Sequence, residues 1–468
     1  MDDFLREIQT SVFREWINNQ KRDYYHLHQS ETDPDAIIIE NEYCYSYVTF
    51  NPQCIIELCV MNKRTDEMAF YLHFQFKTLK HAISLFEEMD QCIKKMIDQP
   101  ICRLLLCCSG GMTTAFFADK IKNGIKVLNL NMEVAATSYQ KIYNVAQNYD
   151  VILLAPQVSY VKLQVEKVFK NKLVLKIPTQ IFASYNVGAL ITFIEESLKH
   201  KENKYNGYVE PLASMMEIKT NKNVLAVSIN ANGENSHISY RLYNSHQDIV
   251  LDSNIIKSNI KLQDVLDALD TVVLQNEMID VISIALPGVM VEGNVYSGII
   301  EGGNHQLKER LEKRYEKEIY LINDVNAAVV GYYASQNEYK SLAFLFQPIG
   351  RMAGSGIVVN GQLVRGMDHL AGEVALLPLN LSDAYLTLAN TPEGTLELVT
   401  KNIMSIIAIV APEAIVVYSD LILDSQDVSD EIKKALNQYP LKVYPQIIKV
   451  ENILEYILLG AMILSAKE

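Results

Sequence analysis

The stretch RLLLCCSGGMTTAFFADKI, residues 103–121, runs from an apolar segment through two glycines into an amphipathic segment. This pattern is typical of a β-strand that ends in a glycine loop and continues as a helix. Glycines let backbone amides turn towards an anion, and the helix N-terminus adds partial positive charge. The sequence therefore predicts a phosphate-binding loop. Its predicted binding residues are Ser109, Gly110, Gly111, Met112, Thr113 and Thr114.

Cys108 stands at the mouth of this loop. The field of a helix N-terminus favours a thiolate over a thiol, and the thiolate is the nucleophilic form. Cys108 is therefore predicted to carry a phosphate on sulfur. The alternative is a small buried residue at a strand end, as Cys102 and Cys107 are expected to be. A phosphatase would need an arginine to clamp the phosphate, and SGGMTTA has none, so the pattern favours a phosphate carrier.

The sequence predicts that the chain divides into four segments, one of which contains this loop. Residues 1–98 indicate a small α+β domain of unknown role, and residues 201–222 indicate a polar linker. Residues 99–200 alternate four strands with helices, which predicts a parallel sheet covered on both faces, with a flavodoxin-like strand order. Residues 223–468 indicate a third, larger domain of strands and apolar helices.

Composition limits the function. The chain has 468 residues, 42 basic and 56 acidic, and a formal charge of −14, so no nucleic-acid partner is expected. A basic-then-apolar leader and an apolar run of membrane-spanning length are both lacking, which predicts a cytoplasmic protein. All seven cysteines precede residue 109, at an irregular spacing that suits neither a disulfide framework nor a zinc site, so no metal is expected.

CSGGMTTA resembles the phosphocysteine loop of the lactose/cellobiose-type IIB components of the bacterial sugar phosphotransferase system. DVILLAPQVSY, residues 150–160, resembles the family's strand that ends in a Pro-Gln-Val turn. The resemblance covers about residues 101–197. It implies that Cys108 accepts phosphate from a histidine of a IIA partner. It also implies a site edge formed by Pro156, Gln157 and Tyr160. An ordinary IIB passes phosphate to a sugar held by a membrane IIC, which is expected to be a separate protein here.

Segments of the C-terminal part resemble the ROK family of sugar kinases and sugar-responsive repressors, over about residues 223–468. The matching stretches are LINDVNAAVVGYY (321–333), IGRMAGSGIVVNGQLVRG (349–366) and DHLAGEVALLPL (368–379). The resemblance implies a two-lobed, actin-like ATPase (ribonuclease H-like) fold.

The same resemblance assigns roles to single residues. Asp324 matches the base that deprotonates a sugar hydroxyl, since a hydroxyl alone is a weak nucleophile. The implied sugar-contacting residues are Asn323, Asp324, Glu373 and Asn304. The alternatives are a helix N-cap for Asp324, because AAVVGYY follows it, and a solvated loop carboxylate for Glu373.

The nucleotide side departs from the family pattern. SINAN, residues 228–232, replaces a turn like Asp-Ile-Gly-Gly-Thr, so Ser228 stands where a metal-associated aspartate belongs and Asn230 replaces a glycine. Tyr418 and Ser419 replace a glycine pair near the adenine site. The residual nucleotide turn keeps Gly350, Gly354 and Gly356. These departures predict a sugar-binding domain with weak or no ATP-dependent kinase activity.

Three functions remain open. The first is a phosphotransferase-system-linked relay or sensor, with Cys108 accepting phosphate and the ROK-like domain binding a sugar or sugar phosphate. The second is an ATP-dependent sugar or glycoside kinase with Asp324 as base, the only case that requires Mg-ATP. The third is a sugar-responsive transcriptional regulator, which would need a basic helix-turn-helix, whereas residues 1–98 are acidic. The sugar and the oligomeric state, a homodimer included, are left open.

Overall fold

The computed structural model describes residues 3–20, 22–63, 66–97, 102–108, 112–128, 130–169, 172–202, 220–232, 235–291, 294–296, 300–301, 306–367, 370–422, 424–437 and 444–467. The chain divides into two compact units: residues 93–204 form one, and residues 1–92 with 205–468 form the other. Among the helices of these ranges, none combines the length and apolarity needed to cross a bilayer. Most of the predicted linker 201–222 lies outside the described residues.

The helices of the described ranges are α1 (Asp3–Asn18), α2 (Leu79–Ile97), α3 (Met112–Val127), α4 (Ile142–Val145), α5 (Lys162–Val168), α6 (Thr179–Ser184), α7 (Val187–Glu202), α8 (Leu262–Gln275), α9 (Leu307–Tyr315), α10 (Asp324–Ala334), α11 (Tyr385–Leu388), α12 (Pro392–Val410), α13 (Ser425–Leu436) and α14 (Leu454–Lys467). The strands are β1 (His26–Gln29), β2 (Ala36–Glu40), β3 (Cys44–Asn51), β4 (Ile55–Asn62), β5 (Glu67–Gln75), β6 (Cys102–Cys108), β7 (Met132–Ser138), β8 (Val151–Leu154), β9 (Leu173–Lys176), β10 (Val224–Asn232), β11 (Asn235–Tyr243), β12 (Ile249–Lys257), β13 (Ile260–Lys261), β14 (Val281–Leu286), β15 (Val289–Val291), β16 (Asn294–Tyr296), β17 (Ile300–Glu301), β18 (Glu318–Asn323), β19 (Leu342–Phe346), β20 (Gly354–Val359), β21 (Gln362–Leu363), β22 (Ala414–Tyr418) and β23 (Gln446–Lys449).

The smaller unit is built on a parallel sheet with strand order β7-β6-β8-β9. The apolar run Leu104–Leu106 of β6 is buried, as expected for a strand covered on both faces. Phe117 of α3 and Ile194 of α7 belong to the same core. The flavodoxin-like order predicted from the sequence is confirmed. In such an order the chain reverses its direction of winding between β6 and β8, and ligands bind at that point, beyond the carboxyl ends of the strands.

The larger unit contains two lobes with one topology. In the first lobe the order is β12-β11-β10-β14-β18, and in the second it is β21-β20-β19-β22-β23. In each lobe the first three strands in sequence are antiparallel and the last two run parallel to the first strand. This repeated arrangement is the two-lobed ribonuclease H-like architecture that the sequence predicts.

Two glycines bring α10 and α14 into backbone contact. A Cβ on Gly460 would lie 1.8 Å from the carbonyl oxygen of Ala327, and one on Gly331 would lie 2.0 Å from that of Tyr456. The helices can cross this closely only because neither position carries a side chain. Since Asp324 is the first residue of α10, this packing fixes the position of its carboxylate.

The N-terminal segment adds strands to the first lobe. Strands β1 to β5 form an antiparallel meander, and β5 pairs with β12, where Tyr71 lies opposite Ile256. One sheet of ten strands results. The meander therefore covers β12, which would otherwise be an exposed edge of the lobe. The sequence pattern predicted that this segment contains both helix and strands. It predicted neither α1 nor a sheet shared with the first lobe.

Charged and polar side chains cross this junction. Lys77 Nζ lies 2.6 Å from Asp267 Oδ1 and 2.5 Å from Asp270 Oδ2, both on α8. The buried imidazole of His73 lies 2.9 Å from the hydroxyl of Tyr240 on β11. These contacts connect β5 to β11, and the residues just after β5 to α8.

We expect Lys77→Gln to lower the free energy of unfolding of the larger unit by about 1–2 kcal/mol, because two largely buried carboxylates lose their shared cation, although Asp270 keeps Arg314 and Asp267 keeps His81. Calorimetric melting of the full chain measures this change. Lys80→Gln is the matched control, since Lys80 is exposed on the same segment. Equal melting temperatures for Lys77→Gln and Lys80→Gln would show that the junction does not depend on this cation.

Candidate functional site

Cys108 is the last residue of β6, the second strand in the order of the parallel sheet. Its backbone lies opposite Ser138 at the end of β7. On the other side, Ala155 N donates to Cys107 O at 2.8 Å, so the helical turn that begins at Pro156 lies beside the end of β6. Helix α3 begins four residues after Cys108. The thiol, the Pro156 turn and a helix N-terminus thus meet at the edge where parallel sheets bind ligands.

The adjacent cysteine belongs to the same hydrophobic core as Cys108 but lies one residue further inside it. Cys107 is fully buried, and burial raises the pKa of its thiol to about 12, with the neighbouring Cys108 acting in the same direction. Cys107 therefore stays a protonated thiol near neutral pH and packs in the hydrophobic core. Cys108, at the carboxyl end of the strand, is 5% exposed. Position along the strand, and not residue type, distinguishes the two.

The rest of the predicted loop is described in part. Ser109, Gly110 and Gly111 lie outside the described residues. Met112, Thr113 and Thr114 form the first turn of α3. Of the predicted site edge, Pro156 is half-buried and Gln157 is exposed, while Tyr160 is 70% exposed. The ring of Tyr160 is thus accessible to a ligand or a partner protein.

The larger unit has a cleft of about 330 Å³ between its two lobes. The first lobe contributes the end of β10 and the junction of β18 with α10. The second lobe contributes the β19–β20 hairpin and the loop before residue 374. The side chains that matter below are Asn230, Asn323, Asp324, Phe346, Arg351 and Glu373. Three predicted sugar-contacting residues are therefore brought together, while Asn304 lies outside the described residues.

Asp324 is not the N-cap of α10. That role belongs to Asn323, whose side-chain oxygen accepts from Val325 N at 3.1 Å and from Asn326 N at 3.0 Å. Asp324 is 3% exposed, and its Oδ1 accepts from Val325 N at 2.9 Å. Asn323 therefore ends the strand and starts the helix so that the next carboxylate faces the cleft. Sequence reasoning placed both residues directly after a strand but could not divide these roles between them.

Burial raises the pKa of Asp324 to about 7, and the charge of Glu373 acts in the same direction. Burial also raises the pKa of Glu373 itself. Glu373 lies in a loop held against β20, where Ser355 N donates to Gly372 O at 2.9 Å. It is a half-buried cleft carboxylate and not a fully solvated loop residue. Near neutral pH, Asp324 can both accept and release a proton.

The residual nucleotide turn is occupied by contacts within the protein. Gly350 has a φ of +63°, and its amide donates to Ala389 O at 2.9 Å. The amide of Ala353 donates to the hydroxyl of Tyr385 at 3.2 Å. A Cβ on Gly356 would lie 2.4 Å from Val325 O, so this glycine admits the start of α10. Each of these features has a structural role that requires no phosphate.

Side chains also stand where the sequence comparison places glycines. Asn230 is 5% exposed and lines the cleft, and neither atom of its amide meets a hydrogen-bond partner among the described residues. Tyr418 is buried, with its ring 5.5 Å from that of Phe346 at the end of the neighbouring strand. The cleft therefore holds an amide in the first of these places, and in the second the buried ring of Tyr418 packs against Phe346 of the cleft lining.

The pKa of Asp324 makes stability depend on pH. The folded value, about 7, exceeds the ordinary 3.8, so the fold favours the protonated carboxyl. This stabilisation is complete below about pH 4 and is lost as pH rises through about 7. We expect Asp324→Asn, which cannot ionise, to melt above the wild type at pH 8, with a difference that shrinks towards pH 5. Glu373 is present in both proteins, and the variant loses the repulsion between Glu373 and Asp324, which adds to the difference in the same direction. A difference that is independent of pH would contradict the raised pKa.

Two family descriptions match this chain. Residues 103–192 match the model of the lactose/cellobiose-specific IIB subunit of the phosphotransferase system. Residues 233–384 match the model of the ROK family. The chain therefore combines a IIB domain of the lactose/cellobiose type with a ROK domain, as the two sequence resemblances predict. Comparison with curated proteins gives no match.

Solved structures similar to this chain include ROK proteins and a IIB domain. A ROK hexokinase from Thermus thermophilus is 15% identical over 52% of this chain and 99% of its own, with a TM-score of 0.43. A ROK family glucokinase from Streptomyces griseus, in complex with glucose and AMPPNP, is 15% identical over 51% of this chain and 97% of its own, with a TM-score of 0.39. The lactose-specific IIB domain from Streptococcus pneumoniae is 20% identical over 20% of this chain and 96% of its own, with a TM-score of 0.20.

Proposed function

We propose that this chain is a phosphotransferase-system protein that accepts a phosphoryl group on Cys108 and binds a sugar in its ROK cleft without using ATP. The observation that carries the proposal is the position of Cys108. It ends β6 at the edge of a parallel sheet, beside the Pro156 turn and before the N-terminus of α3, within a segment that matches the IIB family.

The phosphoryl donor is a IIA-type protein phosphorylated on histidine. The sulfur of Cys108 attacks phosphorus, the phosphorus–nitrogen bond breaks, and the histidine leaves with its electron pair. The product is a phosphocysteine on this chain. Amides at the start of α3 would stabilise the added negative charge. The exposed ring of Tyr160 supports a partner contact at the same edge.

Sugar recognition is assigned to Asp324 and Glu373. Both carboxyl groups line the cleft, and burial raises the pKa of each. Such groups can both donate to and accept from sugar hydroxyls. Asn323 is less available to bind a sugar hydroxyl, because its oxygen caps α10 and its Nδ2 donates to Gly288 O at 3.3 Å. Its main role in this proposal is to position Asp324.

An ATP-dependent kinase is the second candidate, and one observation favours it. A carboxylate with a pKa of about 7 is well suited to deprotonate a sugar hydroxyl. Against it stand Asn230 in the cleft and the amides of Gly350 and Ala353, which already have partners within the protein. We therefore rank the kinase second.

The test is to incubate the purified chain with a phosphorylated lactose-type IIA protein and to measure its intact mass. We expect the gain of one phosphoryl group per chain, located on Cys108 by fragmentation. Transfer to any other residue, or no transfer from a IIA that phosphorylates an authentic IIB in parallel, would contradict the proposed acceptor.

A further inference from the structure

Arg351 is the cation that lines the sugar cleft in the described part of the chain. It lies in the β19–β20 hairpin, and its main-chain oxygen accepts from Gln347 Nε2 at 2.9 Å, which fixes the backbone at this point. Its side chain is exposed, and its guanidinium makes no ion pair or hydrogen bond with any described residue. A guanidinium offers a planar fork of donors that suits the oxygens of a phosphate or carboxylate.

A second group in the cleft lacks a partner. Asn230 is more than nine-tenths buried, and both its amide nitrogen and its amide oxygen are unpaired within the described structure. Leaving a buried amide unpaired costs free energy, so a ligand that supplies both an acceptor and a donor is favoured there. Asn230 and Arg351 come from different lobes and line the same cleft.

These groups complement the two carboxyl groups of the cleft. Asp324 and Glu373 suit the hydroxyls of a sugar, whereas Arg351 suits an anion. A neutral sugar would leave the exposed guanidinium in contact with water alone. A ligand that carries hydroxyls together with one anionic group would satisfy both kinds of side chain at once.

We propose that the preferred ligand of this cleft is a monosaccharide phosphate, with its phosphate on Arg351 and its hydroxyls on Asp324 and Glu373. The proposal rests on the proposed function, because it assumes that the ROK cleft binds a sugar. It goes further by naming the phosphorylated form and the residue that selects it. The cleft would then respond to phosphorylated sugar, the class of molecule that sugar-phosphorylating transport produces.

Calorimetric titration tests this choice. The protein is the full chain with Cys108→Ser, so that no phosphate exchange on the thiol contributes heat. The probes are glucose, galactose, mannose and N-acetylglucosamine, the 6-phosphate of each, inorganic phosphate alone, and Mg-ATP. We expect at least one sugar phosphate to bind about tenfold or more tightly than its parent sugar. We expect this ratio to fall close to one in Arg351→Gln.

Arg310→Gln is the matched control, because it removes the same charge from an exposed position on α9 and should leave the ratio unchanged. Equal affinity for each sugar and its phosphate, or a ratio unaffected by Arg351→Gln, would overturn the inference and leave sugar binding intact. No binding by any sugar or sugar phosphate would count against the proposed function itself. If inorganic phosphate bound as tightly as the sugar phosphate, Arg351 would be a general anion-binding residue and would not select phosphorylated sugars. Mg-ATP binding that depends on Arg351 would assign the guanidinium to a nucleotide.

Discussion

Replacing Cys108 by serine is expected to abolish the phosphoryl group that the wild-type chain gains from a phosphorylated IIA protein. The reason is chemical, since a hydroxyl is a far weaker nucleophile than a thiolate. We expect the label to fall by at least about 100-fold, to the background of the assay. Intact mass after a fixed incubation measures the loss.

Cys102→Ser is the matched control for this experiment. Cys102 is the first residue of the same strand, at its opposite end, and is only half-buried. The control should accept phosphate as the wild type does, and both variants should melt at similar temperatures. Label that persists in Cys108→Ser would place the acceptor elsewhere, and loss of label in both variants would point to a general effect on the sheet.

Replacing Asp324 by alanine is expected to weaken the binding of the sugar ligand by about 100-fold. A hydrogen bond to a charged or partly charged buried carboxyl contributes about 1.5–3 kcal/mol, and Asp324 is a buried carboxyl that lines the cleft. Calorimetry with the best-binding member of the sugar panel measures the change. Because the acceptor thiol lies in a separate folded unit, phosphorylation of Cys108 should be unchanged in this variant.

Asp427→Ala serves as the control for Asp324→Ala. Asp427 is exposed on α13, and its replacement removes the same charge without touching the cleft. Asp324→Asn should retain more binding than Asp324→Ala, since the amide keeps an acceptor in the same place. Unchanged sugar affinity in Asp324→Ala would remove this residue from the site.

The smaller unit could be predicted from sequence because its information is local. Each strand of 99–200 is a short apolar run followed by an amphipathic helix, and this alternation leaves few topologies open. Cys108 follows from the same pattern, because the end of the strand and the glycines after it define the ligand edge. The order β7-β6-β8-β9 agrees with that reasoning.

The N-terminal segment shows where local patterns fail. Its strands alternate as half-buried strands should, but nothing in them indicates that β5 pairs with β12, which lies about 180 residues further along the chain. Contacts such as Lys77 with Asp267 are equally distant in sequence. A separate domain of unknown role was therefore the natural prediction, whereas the segment shares a sheet with the first lobe.

Finer details of the cleft also required coordinates. The sequence motif identified Asn323 and Asp324 as a pair, but only the geometry shows that the first caps the helix for the second. Gly356 resembled a remnant of a phosphate turn, whereas a Cβ there would strike the carbonyl oxygen of Val325. Arg351 drew no attention in the sequence, because a single arginine in a turn is usually solvated, and only the coordinates show that this exposed side chain lines the cleft.

The central claim is that phosphoryl chemistry belongs to Cys108 and that the ROK cleft recognises sugar without nucleotide. Calorimetric titration of the wild-type chain with Mg-ATP, alone and with a saturating sugar or sugar phosphate from the panel, tests it most directly. We predict heat from the sugar ligand and none from Mg-ATP, whether or not the sugar ligand is present. Mg-ATP binding that strengthens when sugar is present would contradict this account and establish the ROK domain as a working kinase.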